Sequence, residues 1–156
     1  MKLQRPEQKN LSYFVEILCT VFQVMGVILV ISLPWTLNNY LLFKNSYVSR
    51  NVYYSMLVLL VISGICAFCI LGQAKKILHN INKKDPFTFE TANRIKYISY
   101  WCLPIAFAYL IAIYFIPSAF VLLVGLTFLF LSACIFIIAQ LFYQAVSYKQ
   151  ENDLTI

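Results

Sequence analysis

Few residues in this chain have the types and spacing that chemistry needs. Cys66 and Cys69 form a Cys-x-x-Cys pair, the spacing of dithiol redox couples and of metal half-sites. Such a pair works where a helix N-terminus or a nearby cation stabilises a thiolate. Here the surrounding residues are apolar, so packing is the expected role, as it is for Cys19, Cys102 and Cys134. His79 is the lone histidine. A zinc site takes three or four ligands, and one imidazole with no second beside it points to an interfacial residue. Glu16 is the only acid inside an apolar run. Acids at membrane depth are functional candidates by default, but Glu16 stands less than a turn from the start of its run. An interfacial pair with Lys9 or a lysine of the 73–96 segment is expected. Gln23, Gln73 and Gln140 are suited to interhelical hydrogen bonds, and Gly26, Gly64, Ala67, Gly125, Ser132 and Ala133 to close helix approach. No G-x-x-x-G occurs.

The familiar catalytic patterns are missing. The chain has no H-E-x-x-H, G-x-S-x-G, P-loop or G-x-G-x-x-G. Its only aspartates, Asp85 and Asp153, stand outside the apolar runs, so no intramembrane aspartate dyad can form. No catalytic residue, cofactor or metal is expected, and the reading is a non-enzymatic protein.

The elements that must position these residues follow from composition. Of 156 residues, 62% are hydrophobic and 12% charged, whereas soluble domains carry about 25% charged residues. A soluble domain of this size cannot bury so much apolar surface, and disorder requires the opposite balance. The apolar residues gather in four runs, at about 14–34, 52–72, 97–116 and 119–143. Each suffices to cross about 30 Å of hydrocarbon as a helix. The expected fold is an all-α, integral membrane four-helix bundle in one domain. The third connection, Ile116-Pro117-Ser118, is short enough for a tight hairpin, with Pro117 in the first turn of the last helix. Pro104 lies within the third run, where a kink is expected. The 35–51 connector mixes Leu37, Tyr40, Leu41, Phe43 and Tyr47 with polar residues, which suits a segment lying along the membrane surface.

The charges set an orientation. Lys2, Arg5, Lys9, Lys75, Lys76, Lys83, Lys84, Arg94, Lys96 and Lys149 fall on one side of the four runs, and only Lys44 and Arg50 on the other. Basic flanks stay cytoplasmic, so both termini and the 73–96 connector are expected inside a bacterial cytoplasmic membrane. Trp35, Tyr40, Tyr47, Tyr53 and Tyr54 then mark the outer interface, and Tyr97, Tyr100, Trp101, Tyr143 and Tyr148 the inner one. The net charge of +6 is thereby a matter of orientation and attraction to anionic lipid, with Lys75, Lys76, Lys83, Lys84 and Lys96 as headgroup contacts. Direct nucleic-acid binding is not expected.

The 73–96 connector carries the most information. Ile77, Leu78 and Ile81 recur at helical spacing among lysines, which predicts that the second helix continues past the membrane. Asp85-Pro86 ends that pattern. Thr88, with Glu90 following, predicts the N-cap of a helix running into the third span.

Two stretches together resemble a known family. They are Asp85-Pro86-Phe87-Thr88-Phe89-Glu90-Thr91-Ala92-Asn93-Arg94-Ile95-Lys96-Tyr97-Ile98 and the closing Gln150-Glu151-Asn152-Asp153-Leu154-Thr155-Ile156, preceded by Phe142. With four spans in this length, the chain resembles the bacterial membrane family "domain of unknown function 2975" over nearly its whole extent. Where the family carries a Gly three residues after the Phe of its last helix, this chain has Ala145. The resemblance implies little biochemistry. Family members often stand beside a small helix-turn-helix regulator in the genome, which implies a membrane partner for a cytoplasmic protein. Candidate contact residues are Pro86, Phe87, Phe89, Asn93 and Arg94 at the bend, with Glu151, Asp153, Leu154 and Ile156 in the tail. The expected partners are the bilayer and such a regulator, with a second copy of the chain as a further candidate. A membrane immunity or stress-protection protein, using the 35–51 connector, is the alternative. A small transporter or channel subunit, dependent on Glu16 or Gln140, is the second alternative.

Overall fold

The computed structural model describes residues 6–43, 49–83 and 87–153, with side chains for 13–39, 49–81 and 87–152. These residues form four helices: α1 (Pro6–Phe43), α2 (Arg50–Lys83), α3 (Phe89–Ala112) and α4 (Ala119–Asp153). All four are long and apolar enough to span a membrane, over Tyr13–Asn39, Arg50–Ile81, Phe89–Ala112 and Ala119–Asn152. Large apolar side chains such as Phe14, Ile31, Ile111, Phe120 and Phe130 stand exposed along them. Such surface suits hydrocarbon, where a helix satisfies its own backbone polar groups.

The helices outrun the expected spans. α1 continues through residues 35–43, so the first part of the expected 35–51 connector is an extension of the helix. Pro34 lies inside it. Around it Ser32 Oγ donates to the Leu29 carbonyl at 3.0 Å, and Thr36 Oγ1 lies 3.0 and 3.1 Å from the Ser32 and Leu33 carbonyls. None of the three reaches the Val30 carbonyl, the one that Pro34 deprives of its helical donor. α2 does continue past the apolar run to Lys83, as its periodicity predicts. α3 begins at the expected cap: Thr88 is extended, and its Oγ1 accepts from the Thr91 backbone N–H at 3.3 Å. α3 ends at Ala112, and the Phe115 and Ile116 amides both donate to the Ala112 carbonyl. The Ser118 carbonyl accepts the first α4 bond, from the Leu122 N–H. Pro117 therefore stands just before the cap and not in the first turn of α4. Pro104 lies inside α3.

Among the described residues, each helix packs on its neighbour in the chain: α1 on α2, α2 on α3, and α3 most extensively on α4. The bundle is thus open, a row in which α1 and α4 each have one partner. The α3/α4 seam has its own rule. Ala92, Ser99 and Ala106 are buried on α3, and Gly125, Ser132, Ala139 and Val146 on α4. Both sets repeat every seven residues, and all but Val146 are small. A seven-residue period keeps one stripe facing the partner helix, and small residues let the backbones approach. Ser132 Oγ crosses the seam to the Ser99 carbonyl at 2.9 Å. Of the residues expected to permit close approach, Gly125 and Ser132 lie in this seam, whereas Ala133 is exposed.

Candidate functional site

The candidate residues meet at one end of the row. The start of α1, the α2–α3 junction and the end of α4 are brought together there: His79 of α2 reaches Glu16 of α1, and Phe89 of α3 reaches Tyr143 of α4. The junction is built from its cap outward. Thr88 Oγ1 also lies 3.0 Å from Thr91 Oγ1, and Thr91 is almost fully buried. This turn fixes where Phe87 and Phe89 point. Phe87 stacks on Phe142 with ring centroids 5.8 Å apart, and Phe89 packs on Tyr143 at 4.8 Å. Two bend residues expected to contact a partner thus pin the bend to α4, although Phe87 keeps about half its surface exposed. Such ring pairs contribute about 0.5–1.5 kcal/mol beyond area burial.

Arg94 ties the junction to α2. Its Nη2 lies 2.7 Å from Glu90 Oε1, one turn back on α3, and its Nη1 donates to Gln73 Oε1 of α2 at 3.3 Å. The within-helix pair contributes little alone, about 0.3–0.5 kcal/mol. The contact with Gln73 adds a link between helices. Arg94 Nε and Asn80 Nδ2 are buried without a hydrogen-bond partner among the described residues. Asn93 is exposed.

The acid of α1 takes a partner that spacing did not reveal. Glu16 Oε1 lies 3.3 Å from His79 Nδ1, with the carboxylate mostly buried and the imidazole half-exposed. Lys9 is outside the described side chains. Gln23 and Gln73 make interhelical hydrogen bonds, Gln23 Nε2 to the Phe68 carbonyl at 3.5 Å and Gln73 to Arg94.

Gln140 instead lines a partly open cleft of about 270 Å³ between α3 and α4, together with Ala92, Asn93, Lys96, Ala139 and Tyr143. The Lys96 ammonium lies 5.8 Å from the centroids of both Tyr100 and Phe136, close enough for cation–π attraction. Among the described residues no carboxylate lies within 4 Å of it. Sequence reasoning placed Asn93 and Lys96 in different roles and missed Tyr143 and Phe136 as their neighbours. The available signal was polar residues three apart, Asn93/Lys96 on one helix and Gln140/Tyr143 on the other.

Among the other lysines, Lys75 is half-buried and Lys76 exposed. Glu151 is exposed near the end of α4. Lys84, Pro86, Leu154 and Ile156 lie outside the described residues, as do the side chains of Lys83 and Asp153. Cys66 is buried and Cys69 half-buried within the α2 span. No group of three metal-ligating side chains occurs among the described residues.

No curated protein and no solved structure matches the chain. A family model does, over residues 2–156. That range takes in both stretches of the resemblance and all four helices, and the chain belongs to the family described as "Protein of unknown function (DUF2975)".

Proposed function

We propose that this protein is a non-enzymatic, multi-pass component of the bacterial cytoplasmic membrane that holds a cytoplasmic protein partner, such as a small helix-turn-helix regulator. The observation that carries the reading is the bracing of three helices at one end of the row. Residues 73–83 extend α2 by about 16 Å. The α3 start and the end of α4 rise beside them, joined by Arg94–Gln73, Phe87–Phe142 and Phe89–Tyr143. A braced platform presents exposed Asn93 and Lys76 at low ordering cost, which favours docking. The basic residues concentrate at this end, so positive-inside sorting puts the platform and both termini in the cytoplasm. The 151–156 tail, with Leu154 and Ile156 alternating with polar residues, supplies a segment for strand addition to a partner.

The test is co-purification of the tagged full chain with a small helix-turn-helix protein encoded beside it. Deleting residues 151–156, or replacing Asn93→Ala, should cut recovery at least tenfold while the membrane protein itself accumulates normally. Undiminished recovery with both changes overturns the reading.

A further inference from the structure

We propose that the α3/α4 cleft is a binding site for the phosphodiester headgroup of one anionic phospholipid, with Lys96 as its cation. Depth is the first argument. Counted from Ala119, about 30 Å of hydrocarbon takes about twenty residues of α4. That reaches Ala139, so Gln140 and the facing Lys96 stand at headgroup level. α4 has no charged residue before Lys149, and α3 has none after Lys96 within Tyr97–Ala112. Lys96 is thus the deepest charge on this helix pair.

Chemistry is the second argument. Lys96 is half-buried as a residue, its ammonium lies 5.8 Å from the Tyr100 and Phe136 ring centroids, and no carboxylate of the described residues lies within 4 Å of it. Cations at this depth pair with an acceptor or snorkel to the interface, where lipid phosphates stand. Gln140 and Tyr143 line the same space, and an amide and a phenol can both donate to phosphate oxygens. Its volume of about 270 Å³ corresponds to roughly nine water molecules. That admits a phosphodiester, while the acyl chains lie along the exposed apolar flanks. At headgroup depth the abundant anion is the lipid phosphate. The inference does not depend on any protein partner.

Native mass spectrometry of the full chain in detergent, titrated with dioleoylphosphatidylglycerol, tests it. The protein should retain one lipid, and Lys96→Gln should weaken retention tenfold or more. Lys76→Gln, an equal loss of charge at an exposed site, should cost no more than about fivefold, the share of one surface cation. Equal weakening by the two substitutions overturns the site in favour of diffuse attraction. Dioleoylphosphatidylcholine held as tightly overturns the requirement for an anionic headgroup. Inorganic phosphate displacing the lipid at matched concentration overturns the lipid as source and assigns the cleft to a soluble phosphate. If Lys96→Gln lowers helicity or melting temperature, the pair Gln140→Leu and Tyr143→Phe takes its place, and undiminished retention with both overturns the proposal.

Discussion

Single side chains here act mainly through the space they leave. A β-carbon at Gly64 would run into the Val30 side chain, and a valine in a helix has essentially one rotamer to offer. Gly64→Ala should therefore destabilise the α1/α2 pair by about 1–3 kcal/mol, the usual range for overpacking. Val30→Ala in the same chain should recover most of that loss, a coupling readable by denaturation in detergent. Some residue-scale features were legible in advance. Thr88 as a cap followed from a hydroxyl before an acidic first turn, because capping is local in sequence. The Glu16–His79 contact was not legible. It depends on the register of two helices, and with lipid-like residues on every side nothing in the spacing sets that register.

At the scale of elements, the apolar runs located all four helices, because about twenty residues without charge have few other solutions. Their ends were harder to read. The 35–43 stretch looked like a connector from its polar residues, yet it contains no glycine or further proline to stop α1. The α3/α4 seam was legible only in part: Gly125 and Ser132 stood out as small residues, but helices apolar all round hide a stripe that differs from its surroundings only in size. The period of seven makes a sharp prediction. Ser132→Leu should prise α3 from α4 and cost several-fold more stability than Ala133→Leu, which faces outward and should stay within about 0.5 kcal/mol. Melting temperatures of the two purified variants compare them directly. Ser132→Ala should cost only about 0.6 kcal/mol, since interhelical hydrogen bonds in membranes are weak.

For the whole molecule, one end gathers the start of α1, the α2–α3 junction and the end of α4. In the proposed orientation, argued from the distribution of Lys and Arg, that end faces inward. Green fluorescent protein fused after residue 156 should fluoresce, and alkaline phosphatase fused there should be silent. Phosphatase inserted between α1 and α2 should be active. The reverse pattern would place the platform outside and remove the cytoplasmic partner with it. Membership of the family was legible because its two short stretches are ordered together with four spans. The cleft was not, since its residues come from helices more than forty positions apart.

The open row also bears on how the chain is made. Every interhelical contact among the described residues joins consecutive helices, so no helix waits for a distant partner before docking. Such low contact order favours rapid assembly. α2 can settle on α1 while α3 is still being synthesised, and the α3/α4 seam closes last. The most extensive interface is then also the final one to form.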